Sequence, residues 1–432
     1  MGTIADAYFE FSPTDRSMAL LDRISPVTFH VIWDLAGPLE LAALAQSWQT
    51  LAAVHPILAC TVDVSVDTSW HPRTEPLPWR LVEIRGEQVE DLTVREVRSP
   101  LDLAGSSVRL TALAARDRVR LILAAHHAAF DGVASVLLIE DLRRIYRDLI
   151  SPAGRSTLPT DDSPRTVAET IRRTGLPVPE QWAVATRSLD RWRRQPPSTH
   201  AAPSPKEPAV TAAGYETIDL GPALKALDER RRRDSWPVDA MLVGVLESAW
   251  AEVFGPGGPG SSVWLVASDI RPALGITGGV GNLSGAEPVA IERPGQRPVS
   301  RVIEQAAAAM ATWKSGFPGL GPELMARTWS WLPPTILNQG VEKMIRTGQR
   351  LRHTRTLSNV GRLPASISDW GPVAMDRIHF LGPMSRGPYT SFVAFSHGSS
   401  SLLTTRTSPD WLTSSHVTEF RKAIDACAGL TA

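Results

Sequence analysis

The chain has 432 residues, with 45 Lys and Arg balanced by 45 Asp and Glu, and this length predicts two or three domains. Hydrophobic residues make up 43% and charged residues 21%, as in ordinary soluble globular proteins. The zero formal net charge argues against nucleic-acid and anionic-membrane binders, because their affinity depends on a basic field. Two distant cysteines, Cys60 and Cys427, exclude a disulfide framework. With no recognisable signal peptide or membrane span, we predict a cytoplasmic protein.

In the first part of the chain, three patterns predict secondary structure. Residues 39–54 repeat apolar side chains at helical spacing and stop before His55-Pro56, which predicts a helix. Residues 108–125 alternate apolar and polar side chains on both sides of a turn at 115–118, which predicts a hairpin. After Asp131-Gly132 the apolar period becomes helical, so an amphipathic helix is expected to begin there.

The later part of the chain opens with a proline-rich stretch. Residues 151–208 are interrupted by prolines around one charged helix pattern at 180–194, which indicates an interdomain connection. Beyond it we predict helices at 237–254 and 302–313, a buried strand at 263–267 and a Ser/Thr-rich strand pair near 392–405. The chain is therefore predicted to be a mixed α/β protein with an N-terminal lobe at 1–175, a Pro-rich connection at 176–211 and a C-terminal lobe at 212–432.

One chemical signal stands out, the segment His126-His127-Ala128-Ala129-Phe130-Asp131-Gly132 at the change from strand to helix. Strand alternation sends the two imidazoles to opposite faces, so only one of them lines a given cavity and a metal site is disfavoured. A histidine at a strand end suits general-base chemistry near neutral pH, but is also common as a structural residue. Asp131 fits a helix N-cap, and Gly132 fits a backbone angle that other residues resist.

This segment resembles the HHxxxDG signature of the condensation-domain and chloramphenicol-acetyltransferase-like superfamily. Five further segments resemble elements of that family and follow one another in the family's order. They are the opening at 11–16, "LxxxHPxL" at 51–58, "PFDL…R" at 99–109, "RP…GN" at 269–282 and "SNxG" at 356–361. The resemblance covers nearly the whole chain.

The resemblance implies two related chloramphenicol-acetyltransferase-like lobes in a V shape, with a tunnel between them. By resemblance, His127 either takes a proton from the acceptor or positions it and stabilises the tetrahedral intermediate. His126 and Gly132 complete the motif. Asp131 resembles a structural Asp that pairs with an Arg, for which Arg271 is the first choice and Arg362 the second.

The "SNxG" resemblance bears on the floor of the expected tunnel. If it is right, Ser358 or Asn359 faces His127 across the channel and donates a hydrogen bond to the oxyanion of the reaction. The alternative is a strand-end turn in which Asn359 and Gly361 satisfy backbone groups. Neither a metal nor a bound cofactor is expected.

The function that the resemblance implies is a free-standing acyltransferase of natural-product biosynthesis. Its donor is an acyl or aminoacyl thioester, carried either by the phosphopantetheine of a carrier protein or by CoA, and its acceptor is an amine or alcohol. Two alternatives remain: an enzyme of the same fold that dehydrates or cyclises a tethered intermediate, and a catalytically silent module that docks carrier proteins. Acceptor-dependent loss of a thioester separates these hypotheses.

Overall fold

The computed structural model describes residues 9–23, 26–67, 69–84, 88–151, 162–196, 215–255, 260–292, 295, 297–314, 316–328, 332–351, 355–383, 390–407 and 414–429. Its helices are α1 (Pro13–Asp22), α2 (Leu41–Val54), α3 (Val89–Val97), α4 (Gly132–Ile150), α5 (Val167–Thr174), α6 (Val178–Arg193), α7 (Gly221–Arg233), α8 (Val238–Phe254), α9 (Val299–Lys314), α10 (Gly321–Arg327), α11 (Pro334–Leu351) and α12 (Ser414–Cys427). Its strands are β1 (Phe9–Glu10), β2 (Thr28–Ala36), β3 (Cys60–Thr61), β4 (Ser69–Pro72), β5 (Trp79–Glu83), β6 (Val108–Ala114), β7 (Arg118–His126), β8 (Glu216–Asp219), β9 (Ser261–Asp269), β10 (Ser284–Glu292), β11 (Arg355–Arg362), β12 (Ala374–Leu381), β13 (Thr390–His397) and β14 (Ser400–Thr407). The mixed α/β class predicted from the sequence is confirmed.

The first large sheet has five strands in the order β12-β2-β7-β6-β5. Its centre is antiparallel, with β2 and β7 paired from Thr28↔His126 to Ala36↔Arg118. One face carries Val31, Trp33, Leu121 and Leu123 into the main core with residues of α2 and α4. The opposite face carries a smaller apolar cluster around Ile32 and Ile122. Successive side chains of β2 and β7 therefore point alternately into these two apolar clusters, one on each face of the sheet.

The second large sheet has six strands in the order β10-β9-β11-β13-β14-β8. Its central strand, β11, runs parallel to both β9 and β13, whereas the other pairs are antiparallel. Helices α8, α9 and α12 contribute to the core beside this sheet, where Trp250, Trp264, Phe392 and Phe420 lie in mutual aromatic contact. Glycine at position 244 lets α8 and α9 approach closely, because a Cβ there would lie 2.4 Å from Ile303 Cγ1.

A strand from late in the sequence completes the first sheet. After β11, the chain leaves the second sheet and β12 pairs antiparallel with β2, for example through Ile378↔Trp33. β12 therefore belongs by sequence to the predicted C-terminal lobe and by pairing to the first sheet. The lobe boundaries, the V shape and the tunnel stay predictions.

Local sequence signals explain where the helices near the site begin. Ser12 and Asp15 form a reciprocal capping box at the start of α1, with Pro13 at the first helical position. Asp131 caps α4 by accepting a hydrogen bond from Ala134 N. Within the described ranges, every helix is too short or too polar to cross a membrane.

Candidate active site

The turn at residues 127–131 joins the end of β7 to the start of α4 and is held by its backbone. His126 N donates to Ser107 O at 2.9 Å, and His127 N donates to Val27 O at 3.3 Å. Val27 N in turn donates to Asp22 Oδ1, at the end of α1, at 2.8 Å. The backbone of both histidines is thereby fixed to neighbouring segments of the first part of the chain.

His126 is a buried residue of the sheet interior, with 1% of its surface exposed. Its Nδ1 accepts a hydrogen bond from Ala128 N at 3.1 Å, and its Nε2 lies 3.7 Å from Asp22 Oδ1. Both ring nitrogens therefore face protein groups inside the fold. This environment fits the structural role that strand alternation left open for the first histidine.

His127 lies in different surroundings, with its ring in an edge contact to Phe29 at 5.6 Å between centroids. Nδ1 is buried and has no hydrogen-bond partner among the described side chains, the residue as a whole is half-buried, and Nε2 makes no hydrogen bond to any described residue. Burial lowers the pKa of His127 from its ordinary value, opposed by its own backbone carbonyl and by Asp131. Burial therefore favours the neutral imidazole, in which a proton on Nδ1, the ring nitrogen nearer the main chain, leaves the lone pair on Nε2.

Asp131 holds the other end of the turn and satisfies both of its carboxylate oxygens. Oδ1 accepts from Ala134 N at 2.7 Å and from Arg271 Nη2 at 3.2 Å. Oδ2 accepts from Arg271 Nη1 at 2.9 Å and from Leu283 N at 2.7 Å. The two roles weighed from the sequence, helix cap and partner of an arginine, are thus combined in one buried side chain that is 3% exposed.

Arg271 reaches this carboxylate from the loop after β9 and is only 2% exposed. Besides Asp131, its guanidinium donates to Asp269 Oδ1 at 2.9 Å, Gly278 O at 3.2 Å and Gly279 O at 2.8 Å. A buried guanidinium whose donors are used in this way fixes the loop in one geometry. The histidine turn is consequently attached to the second part of the chain through a bidentate ion pair.

Two expectations about this region are corrected. Gly132 does not have a positive φ; it is the first residue of α4, and a Cβ there would meet Val360 Cγ2 at 3.4 Å, which is ordinary contact. The second choice of arginine, Arg362, is exposed at the end of β11, and Asp131 is paired with Arg271 instead. The glycine that close approach does require is Gly281, where a Cβ would lie 1.9 Å from Arg165 O.

The residues of the "SNxG" strand take different places in the structure. Asn359 is exposed, its amide donates to Asp239 Oδ1 at 2.8 Å, and its carbonyl accepts from Gly361 N at 3.0 Å beside a register shift of β11. Asn359 and Gly361 therefore satisfy backbone groups, as the second role expected, but at a register shift inside β11 rather than at a strand-end turn. Ser358 lies two residues before Val360, the residue against Gly132, and its hydroxyl makes no hydrogen bond to a described residue. Ser358 is the residue of this pair that stays a candidate.

Sequence reasoning missed the residues that support His127 from outside the motif. Val27 O accepts from His127 N, the Asp22 carboxylate accepts from Val27 N, and the Phe29 ring contacts the imidazole; none of these contacts leaves a spacing signal in the sequence. Among the described residues, no three His, Cys, Asp or Glu side chains come together as a metal site would require.

Comparison with known proteins connects this geometry to the condensation-domain fold. Three solved structures match 98–99% of the chain, each at 14% identity. They are the epimerization domain from the third module of tyrocidine synthetase B (TM-score 0.69, 98% of that chain), the first condensation domain of the CDA synthetase (0.70, 97%) and a mutant starter condensation domain of rhizomide synthetase in complex with C8-CoA (0.70, 95%). The chain therefore has the fold of these domains.

The curated relatives match a smaller region. Malformin synthetase from Aspergillus tubingensis is 30% identical over 154 residues, or 34% of this chain, and tyrocidine synthase 2 from Brevibacillus parabrevis is 28% identical over 165 residues, also 34%. The chain spans only 3–4% of the length of these relatives. No protein-family model matches it.

Proposed function

We propose that the protein is a condensation-type acyltransferase that moves an acyl or aminoacyl group from a thioester to an amine or alcohol, forming an amide or ester. The observation that carries the proposal is the half-buried His127, whose Nε2 makes no hydrogen bond to a residue that the structure describes and which lies on a turn held by Val27 and by Asp131. A neutral imidazole fixed in this way is suited to accept a proton from an acceptor group. The condensation-domain fold supports the proposal independently.

In the proposed reaction, the acceptor nitrogen or oxygen attacks the thioester carbonyl while His127 Nε2 takes its proton. The tetrahedral intermediate then expels the thiolate, which takes the proton from His127. The thioester is already activated, so positioning and one base supply much of the rate. We further propose that Ser358 Oγ donates a hydrogen bond to the oxyanion of that intermediate, since it lies on β11 two residues before Val360, whose side chain lies against Gly132.

The donor is proposed to be a thioester of a carrier-protein phosphopantetheine or of CoA. A relative from Arthroderma benhamiae is a nonribosomal peptide synthetase by name, which is a reason to test the carrier-bound donor, and one structural neighbour was solved in complex with C8-CoA, which is a reason to test the CoA donor. Action in natural-product biosynthesis is part of the same proposal.

The decisive experiment measures acceptor-dependent thioester loss with acyl-CoA and acyl-carrier donors. His127→Ala should fold and lose on the order of 10²–10⁴ in turnover, the span expected for a general base. Ser358→Ala should lose less, because a hydrogen-bond donor to the oxyanion is replaced in part by water. His71→Ala is the control, since this histidine has a side chain 45% exposed on β4 and should retain parental turnover.

Full activity in His127→Ala would contradict the assignment of the base. If the parent consumes none of the donors but binds carrier protein, the docking module is the better account. The accessible imidazole argues against that alternative, because a silent docking module has no need of a fixed and unpaired base.

A further inference from the structure

The segment at residues 11–16 has a structural role that the proposed reaction does not use. It begins α1, and Thr14 N donates to Glu323 Oε2 of α10 at 2.7 Å. The first turn of α1 therefore docks on a helix 309 residues away in the sequence. Phe11 and Trp70 cover it, in an edge contact at 5.4 Å.

Two carboxyl groups are buried at this contact, Asp15 on α1 and Glu323 on α10, each 1% exposed. Asp15 Oδ2 accepts from Ser12 N at 3.1 Å and from Trp70 Nε1 at 3.5 Å. The other oxygens, Asp15 Oδ1 and Glu323 Oε1, are buried and receive no hydrogen bond from the residues that the structure describes. Buried carboxylate oxygens without donors are costly when ionised.

The charges around this pair do not neutralise it. Arg16, next to Asp15, turns away and donates to Val64 O, Asp67 O and Asn338 Oδ1. On α10 itself, Arg327 Nη1 lies 3.7 Å from Glu323 Oε1, but it lies 3.5 Å from Glu10 Oε1 as well.

Further charged groups lie on the elements that pack on α1 and α10. On α11, which packs on α1, Glu342 pairs with Arg23 at 3.0 Å. Arg172 of α5 lies 3.7 Å from Glu10, and α6 presents the uncharged Ser188 to Gly321 at the start of α10. The guanidinium of Arg187 on α6 lies beside Gly316, which is on the loop before α10. Glu323 thus shares Arg327 with Glu10, and the hydrogen bonds that Asp15 Oδ2 accepts come from the uncharged Ser12 N and Trp70 Nε1.

We propose that Asp15 and Glu323 together retain one proton, so that the contact between α1 and α10 depends on pH. The contact is stable while one of the two carboxyl groups is protonated, and it is weaker when both are ionised. The inference does not depend on the proposed acyl transfer. It gives a function to the opening segment of the chain, which the histidine chemistry does not explain.

Burial and mutual repulsion support the proposal. Burial raises the pKa of Glu323 to about 7, with Thr14 and Arg327 acting in the opposite direction. The pKa of Asp15 is raised well above its ordinary value, first by burial and then by Glu323. Since both are raised in the folded state, the stability they contribute is fully present below the ordinary carboxyl pKa and is lost as pH rises through about 7.

The test compares the thermal unfolding of the parent with that of Glu323→Gln from pH 5 to pH 8. Gln keeps a carbonyl acceptor for Thr14 N and cannot ionise, so the fall in Tm with rising pH should be smaller in the variant, by roughly 3 °C. Glu304→Gln is the matched control, because this carboxylate on α9 is 44% exposed and paired with Arg301, and it should follow the parent.

Infrared spectroscopy gives a second readout that does not depend on unfolding. The parent should show a protonated carboxyl C=O band at pH 6 that disappears by pH 8.5, and Glu323→Gln should lack that change. Equal pH dependence of Tm in the parent and Glu323→Gln, or no protonated carboxyl band in the parent at pH 6, would overturn the proposal. A loss of acyl transfer in His127→Ala would leave this outcome unaffected, so the two proposals fail separately.

Discussion

Two buried carboxylates lie where helices of the first part of the chain contact the second part, and their surroundings differ in one respect. Asp131 at the start of α4 meets the guanidinium of Arg271, and both of its oxygens accept hydrogen bonds. Asp15 in the first turn of α1 has a second acid, Glu323, as its neighbour, and its Oδ1 receives no hydrogen bond from the residues that the structure describes. Burial is nearly the same, at 3% and 1% exposure.

The comparison shows that burial alone does not decide what a carboxylate does in a fold. An ionised group taken out of water needs a countercharge and hydrogen bonds, which Arg271 and the backbone supply to Asp131. Where the neighbour is another acid, holding a proton is the less costly solution. We therefore assign a fixed attachment to the histidine turn and a proton-dependent one to α1.

The largest effect is expected for Asp131→Asn. Asparagine keeps the shape and still caps α4, but it leaves Arg271 buried with an incomplete countercharge, so the free energy of unfolding should fall by about 3–5 kcal/mol. Urea denaturation measures this loss. Asp269→Asn is the matched control, since it also contacts Arg271 through a side chain that is 31% exposed, and it should cost less. A parental unfolding midpoint for Asp131→Asn would mean that the residue is only a cap.

A smaller effect on the free energy of unfolding is expected for Asp15→Asn, and this variant should lose less stability than the parent as the pH rises. The asparagine side chain cannot ionise, so the decrease in unfolding free energy from pH 5 to pH 8 should shrink by about 1–2 kcal/mol relative to the parent. Urea denaturation at the two pH values measures it. A variant that is destabilised equally at both pH values, as Asp131→Asn is expected to be, would remove the distinction between the two attachments.

Local patterns in the sequence predicted much of the fold. Helices α2, α4, α8 and α9 and the hairpins β6–β7 and β13–β14 all lie where apolar periodicity placed them. The crossing of β12 to the first sheet was not predicted, because its partner β2 lies more than 300 residues earlier and periodicity does not specify a partner. The docking of α1 on α10 was missed for the same reason.

The residues of the motif itself were predicted, and the residues around it were not. The sequence predicted that Asp131 caps a helix, and the family resemblance predicted that it pairs with an arginine, with Arg271 as the first choice. Asn359 and Ser358 are adjacent in sequence, so the pattern did not show which would bind backbone groups; Asn359 does so, at the register shift of β11. Support from Val27 depends on its backbone, and the carboxylate of Asp22 acts on Val27 N from outside the motif, where no spacing signal points to it.

The most direct test of the account is the pH dependence of kcat/KM for thioester-dependent acyl transfer. Because burial lowers the pKa of His127, the imidazole should stay neutral, and activity should be retained, below the ordinary histidine pKa of about 6.5. We predict an acidic limb of unit slope with its midpoint below pH 6.5 in the parent, and no such limb in the residual activity of His127→Ala. A limb centred above pH 6.5, or one that persists unchanged in His127→Ala, would contradict the assignment of His127 as the base.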